Sequence, residues 1–173
     1  MDSVLGVVGT LMTNLGFGRA MEKLHIDFQR SKVGDRYVLE MLKETGWNIG
    51  GESSGHILCL DQHTTGDGIV SALQVLAAIV RFGKPLSEVV AEFTRYPQTL
   101  INIAVSHGKD WQKIPEVTQA CALAQKTLGK SGRLLIRRSG TEPVVRVMVE
   151  ANDSTLCETT AQSVAAALKA HCC

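Results

Sequence analysis

Val4-Leu5-Gly6-Val7-Val8 is apolar without interruption and ends in the turn-like pair Gly9-Thr10. A strand with one solvated face alternates apolar and polar side chains. An unbroken run is covered on both faces, as in a parallel sheet flanked by helices. The chain must therefore supply helices for two faces of one sheet, and the residues that follow do so. Phe17, Ala20, Met21 and Leu24 repeat at helical spacing and predict a helix over about Asn14 to Leu24, weakened in its first turn by Gly16 and Gly18. A short strand is expected near Asp27 to Lys32. Asp35 is placed to cap a second helix whose Val38, Leu39 and Leu42 share a stripe, and Gly46 sets its end. Trp47 to Ile49 and His56 to Leu60 read as strands around the polar loop Gly50-Gly51-Glu52-Ser53-Ser54-Gly55. Asp67 then caps the longest helix, with Ile69, Leu73, Leu76, Ile79 and Val80 in one stripe up to Gly83, and a shorter helix runs from Leu86 to Phe93. Strand and helix alternate as in an α/β domain.

Thr94-Arg95-Tyr96-Pro97-Gln98 breaks that rhythm and reads as a linker between residues 1–96 and a second domain, 97–173. There a strand at Leu100 to Val105 precedes a helix opened by Pro115 and closed by Gly129. Strands at Gly132 to Arg138 and Val144 to Glu150 flank a tight turn, and Asp153 or Ser154 caps a last helix carrying Leu156, Val164, Ala165 and Leu168. The second domain is a small β-α-β-β-α unit of the α+β kind. A core strand starting four residues into the chain implies that something precedes it.

Composition narrows the function. The 173 residues carry 18 Lys plus Arg against 17 Asp plus Glu, a net +1, which argues against a general nucleic-acid or anionic-membrane binder. Aromatic residues are 5%, too few for stacking platforms. The longest apolar stretch, Ile69 to Val80, is interrupted by Ser71 and Gln74 and is too short to span a bilayer. Met1-Asp2-Ser3-Val4 has none of the blocks of a secretion signal. Five scattered cysteines without CxxC spacing favour a reducing cytosol, so a cytoplasmic protein is expected.

Two segments carry polar chemistry. Arg137-Arg138-Ser139-Gly140-Thr141-Glu142-Pro143, with Arg146 beyond it, places hydroxyls and backbone N–H groups at a turn between strands. Such a turn forms a nest for an oxyanion, and Arg137 and Arg146 on either side are suited to grip a phosphate. An ordinary surface hairpin with solvated arginines is the competing reading. In the Gly50 to His56 segment, Glu52, Ser54 and His56 alternate, so an extended stretch puts them on one side, a donor and acceptor set for vicinal sugar hydroxyls. A glycine-rich hairpin with polar tips competes here. Lys32 and Arg36 flank Asp35 and read equally as solvated charges. Cys59, Asp61 and His63 lack a fourth ligand at suitable spacing and are rejected as a metal site.

Taken together, Gly51-Glu52-Ser53-Ser54-Gly55-His56 followed by Arg137 to Pro143 and Arg146 resembles the α-D-phosphohexomutase superfamily. Val7 to Asn14, Lys32 to Val38 and Thr65 to Gly68 are similar to its bacterial glucosamine-phosphate branch. The resemblance implies the fold: a third α/β sandwich domain lacking its N-terminal edge, then the fourth, phosphate-binding domain, with domains one and two missing. It implies isomerisation between glucosamine 6-phosphate and glucosamine 1-phosphate for UDP-N-acetylglucosamine and the cell wall. It implies sugar contacts from Glu52 and Ser54, with His56 at the edge of that site. A phosphate clamp of Arg137, Ser139, Gly140, Thr141 and Arg146 follows from the same likeness, as do contacts near the reacting end from Lys32 and Arg36. The superfamily's phosphoserine loop and its DxDxDR magnesium loop are missing from these residues. Magnesium and a glucosamine 1,6-bisphosphate activator are thus expected for a full-length enzyme and neither for these residues, which are expected to be inert alone and monomeric, with apolar surface prone to association. A phosphomannomutase or phosphoglucomutase of the same superfamily, or a stand-alone sugar-phosphate-binding module, are the alternatives.

Overall fold

In the computed structural model, which describes residues 5–91, 93–105, 110–139 and 142–172, the opening apolar run becomes β1 (Gly6–Thr10), an inner strand. It pairs in parallel with β2 (Asp27–Ser31) on one side and β3 (Ile49–Gly51) on the other, and β4 (Ile57–Cys59) closes the sheet antiparallel to β3, in the order β2-β1-β3-β4. The two crossovers, through α1 (Leu15–Lys23) and α2 (Asp35–Thr45), step in opposite directions across the sheet. Right-handed connections then place the two helices on opposite faces.

Side-chain alternation shows those faces. Val8 and Leu58 pack with Val38 and Leu42 of α2, all four essentially inaccessible to water; each such side chain contributes about 1.5–3 kcal/mol by burial. Gly50 lies between them in register with both Val8 and Leu58. A Cβ at Gly50 would sit 2.7 Å from Val38 Cγ1 and 3.1 Å from Leu42 Cδ1. That is why Gly50 belongs to β3 rather than to the loop expected of it: the close approach of α2 requires a bare backbone. Gly51, also in β3, faces the other side of the hairpin, where a Cβ would lie 2.9 Å from the His56 carbonyl oxygen. The other face carries Val7, Ile49 and Ile57 with Phe17 of α1 and Phe93 around a cavity of about 370 Å³. Gly16 in α1 is likewise a packing requirement, since a Cβ there would fall within 1.9 Å of the Thr94 carbonyl oxygen.

Two helix expectations are corrected. Asp35 is the first residue of α2, not its cap; Gly34 is the N-cap and no side chain caps the helix. Asp67 does cap α3 (Gly68–Phe82), accepting from Ile69 N at 2.8 Å and Val70 N at 3.0 Å. The stripe of α3, however, faces water: Ile69 and Val80 are 75% and 81% exposed, and Leu73 and Leu76 are more than half exposed. The one buried residue of α3 is Ser71, whose Oγ donates to the Ile57 and Asp67 carbonyls. Leu86 and Val90 of α4 (Leu86–Ala91) are also exposed.

The chain divides into two compact units, Met1–Arg95 and Tyr96–Cys173. In the second, β5 (Gln98–Ala104), β6 (Gly132–Arg138) and β7 (Val144–Ala151) form an antiparallel sheet in the order β5-β7-β6. Val145, Val147, Val149 and Ala151 point to one face and pack against α5 (Pro115–Leu128) and α6 (Ser154–Cys172) through Val117, Leu128, Ala161, Val164 and Leu168. Pro115 opens α5, and Asp153 caps α6 through Leu156 N at 2.7 Å. The opposite row on β7 reads Val144, Arg146, Met148, Glu150, and Glu150, fully buried, accepts from Arg133 Nε. No described helix is long and apolar enough to cross a membrane.

Candidate functional site

The β3–β4 hairpin gathers Glu52, Ser54 and His56, by a route other than the extended stretch expected. Glu52 N donates to the His56 carbonyl at 3.0 Å, and Gly55 N donates back to the Glu52 carbonyl at 3.1 Å. Gly55 takes φ 105°, which only glycine adopts without strain, so the loop is a tight turn. The turn folds the three side chains together. Ser54 Oγ donates to Glu52 Oε1 at 2.6 Å, and His56 Nδ1 lies 2.9 Å from Ser54 Oγ and 3.2 Å from Glu52 Oε1. An ionised carboxylate only accepts, and the serine proton is already committed to it. Nδ1 therefore carries a proton, which leaves Nε2 as the acceptor of a neutral ring.

Burial differs sharply within the cluster. The Glu52 side chain is 8% exposed and that of His56 48%. The cavity on the Val7 face of the sheet reaches Glu52 and Ser53 at its polar end. Gly66 presses against the imidazole: a Cβ there would lie 3.2 Å from His56 Cβ and Cδ2, so the loop entering α3 backs the ring. The second Glu52 oxygen, Oε2, accepts from Gly34 N at 3.1 Å.

Lys32 and Arg36 join this cluster by no hydrogen bond or ion pair among the described residues. Lys32 Nζ lies over the Tyr37 ring, 5.5 Å from its centre. Arg36 Nε donates to Glu40 at 2.8 Å on the exposed side of α2, and Glu40 raises the guanidinium pKa above its ordinary value. What links their segment to Glu52 is the backbone of Gly34.

In the second unit, Arg137 on β6 stands directly opposite Arg146 on β7, so both side chains leave the same face. Like charges so placed repel. Arg146 is partly relieved, since its Nη2 donates to Glu142 at 2.8 Å, while its buried Nε has no hydrogen-bond partner among the described residues. The Arg137 guanidinium has no hydrogen-bond or ion-pair partner among the described residues. Ser139 begins the turn, its N donating to the Val144 carbonyl and its Oγ accepting from Glu142 N at 3.3 Å. Gly140 and Thr141 lie outside the described residues. Asn102 on β5 is in register with Arg146 and extends the row to Asn102, Arg146, Arg137. Spacing alone did not expose Asn102, because only the strand order brings β5 beside β7. The described residues offer no group of three or more His, Cys, Asp or Glu placed to hold a metal ion.

Residues 2–96 match the family model of the phosphoglucomutase/phosphomannomutase alpha/beta/alpha domain III, and residues 100–167 that of the phosphoglucomutase/phosphomannomutase C-terminal domain. The chain is 57% identical over 164 residues to a protein named phosphoglucosamine mutase from Azoarcus sp. (strain BH72), covering 95% of this chain and 36% of that one. It is 54% identical over 165 residues to the protein of the same name from Thiobacillus denitrificans, again 95% of this chain and 36% of the other. Among solved structures it is similar to Aspergillus fumigatus N-acetylphosphoglucosamine mutase, with a TM-score of 0.81 at 22% identity over 96% of this chain and 38% of that one. A phosphoglucomutase/phosphomannomutase family protein from Burkholderia thailandensis gives 0.71 at 20% identity, over 96% of this chain and 37% of that one. Those distant likenesses show the fold alone. The chain spans little more than a third of the length of the curated relatives it matches. With both family models matched in order over most of its length, this chain is a member of the phosphoglucomutase/phosphomannomutase family.

Proposed function

We propose that this chain is the substrate-recognition half of a phosphoglucosamine mutase, in which residues 1–96 bind the sugar and residues 97–173 bind its phosphate. The observation that carries the reading is the arginine pair. Arg137 and Arg146, opposed across one hairpin, repel each other unless an anion lies between them. A phosphate oxyanion accepts charge-assisted, bidentate bonds from both guanidiniums. Ser139 adds a hydroxyl, and Gly140 and Thr141 complete the clamp by family likeness. Glu142 holds Arg146 at 2.8 Å and competes with the phosphate for it.

At the sugar end, Glu52 accepts from one hydroxyl while Ser54 accepts from another, and His56 Nε2 offers an acceptor at the rim. Lys32 and Arg36 lie near the reacting end. A mutase turns its bisphosphorylated intermediate around between steps, so these contacts must serve two sugar orientations; hydroxyls and carboxylates that exchange donor and acceptor partners allow that. Glucosamine is preferred as the sugar because relatives of that name are more than half identical. The related Aspergillus fumigatus enzyme has been crystallised with GlcNAc-6P and magnesium. By family likeness the transfer runs through a phosphoserine with its charge neutralised by a metal, and the loops that carry both are missing from these residues; these residues therefore bind substrate without turning it over, and magnesium and a bisphosphate activator act only in a longer enzyme. The scattered cysteines, none at CxxC spacing, suit a reducing cytoplasm.

Phosphorus NMR tests this reading. Adding the chain to glucosamine 6-phosphate broadens or shifts its resonance, the effect is lost in the Arg137→Ala, Arg146→Ala double variant, and no 1-phosphate signal grows in. An unperturbed resonance, or turnover by this chain, overturns it.

A further inference from the structure

We infer that Gly34 is a positioning residue for Glu52: its N–H pins one carboxylate oxygen, so that the other points to Ser54, His56 and a sugar hydroxyl. The last clause rests on the function proposed above; the pinning does not. Glu52 Oε2 accepts from Gly34 N at 3.1 Å, across 18 residues of sequence. Oε1 is the atom on which Ser54 Oγ and His56 Nδ1 converge. A carboxylate free to rotate exchanges its two oxygens; one held at Oε2 presents Oε1 in a single orientation.

Gly34 can do this because of its backbone. It sits at φ 127°, ψ 137°, where its carbonyl starts α2 by accepting from Tyr37 N at 3.0 Å and Val38 N at 3.2 Å, while its own N–H is turned out of the helix. An L side chain rarely adopts that conformation. Space is not the obstacle, since a Cβ would meet only the Tyr37 ring, no nearer than 3.4 Å. Glu52 so held stands at the start of α2 beside Asp35, whose Oδ1 accepts from Arg36 N at 2.8 Å, in a place where negative charge is favoured by the exposed N–H groups. The pin thereby joins the Lys32–Arg36 segment to the sugar loop, two stretches with no side chain to side chain hydrogen bond or ion pair between them among the described residues.

Amide exchange and imidazole spectra of the full chain, labelled with nitrogen-15, test the inference. In Glu52→Ala the Gly34 amide exchanges at least tenfold faster, while the Tyr37 and Val38 amides keep their rates and show that α2 is intact. In Glu52→Gln, whose side-chain oxygen still accepts, the Gly34 rate stays within about threefold of the parent. In Gly34→Ala the ring nitrogen resonances of His56 move, and glucosamine 6-phosphate binds at least fivefold more weakly. An unchanged Gly34 rate in Glu52→Ala overturns the pin. His56 resonances in Gly34→Ala identical to the parent overturn the positioning role. Should the parent chain take up no glucosamine 6-phosphate, the proposed function falls, while the exchange and ring spectra still decide for or against Gly34.

Discussion

Replacing Arg137 by Met separates stability from binding in a way that few other readings of the hairpin allow. Met keeps most of the apolar stem and removes the charged guanidinium. Arg137 and Arg146 are directly cross-strand, and such like-charge pairs cost about 0.2–1 kcal/mol. Glu142 already neutralises part of Arg146, so the gain on removing Arg137 falls at the lower end of that range. Without ligand, Arg137→Met is therefore more stable than the parent, and the gain fades as salt shortens the screening length from about 30 Å at 0.01 M to about 3 Å at 1 M. Binding moves the other way. A charge-assisted hydrogen bond contributes about 1.5–3 kcal/mol, so affinity for a sugar phosphate falls by about tenfold to 150-fold. Urea unfolding at two salt concentrations, together with calorimetry on the same preparations, reads both effects. A variant less stable than the parent at low salt, or one that binds the phosphate as before, refutes the view of this pair as a site that sacrifices stability for an anion.

Gly50→Ala inserts a methyl within 2.7 Å of Val38 Cγ1 and 2.9 Å of the Val8 carbonyl oxygen, and overpacking of this kind costs about 1–3 kcal/mol; a urea midpoint equal to the parent's contradicts the packing described for α2. Asp67 is held below its ordinary value of 3.8 by the N–H groups of Val70 and Ile69, so its support of α3 is complete above that value and is lost as pH falls through the lower folded one. Amide exchange at the start of α3 follows that acid step in the parent and not in Asp67→Ala; a step that survives the substitution contradicts the cap. Ile69, Leu73, Leu76 and Val80 form an exposed apolar stripe, so sedimentation shows a monomer at low micromolar concentration and association at high concentration. Leu73→Lys with Val80→Lys abolishes the association, and unchanged association in that pair of substitutions excludes the stripe as its cause.

The architecture was largely legible because it rests on local signals. The unbroken apolarity from Val4 to Val8 marks an inner parallel strand, and alternation on β7 marks a sheet with one face on helices. What escaped depends on contacts distant in sequence. Gly50 looks like a loop residue until α2 is packed against β3, and then only glycine fits. Asp35 has the chemistry of a cap, but the cap position falls to Gly34, because the chain must turn through a left-handed conformation before α2 begins. Helical spacing on α3 reports amphipathicity and cannot tell which neighbour, if any, covers the stripe. At the candidate site, Glu52, Ser54 and His56 stood out in the sequence as one polar set, and the structure brings them together, yet the reason for their meeting is a tight turn and not strand alternation. Asn102 and Gly34 were invisible for one reason: each enters through a backbone pairing that only the folded chain displays.

The account turns on recognition without turnover, and calorimetric titration of the chain with glucosamine 6-phosphate tests that most directly. It predicts saturable heat at millimolar ligand, competition by inorganic phosphate, and marked weakening in both Arg137→Met and Glu52→Gln. Absence of heat at millimolar ligand, or binding that survives both substitutions unchanged, contradicts it.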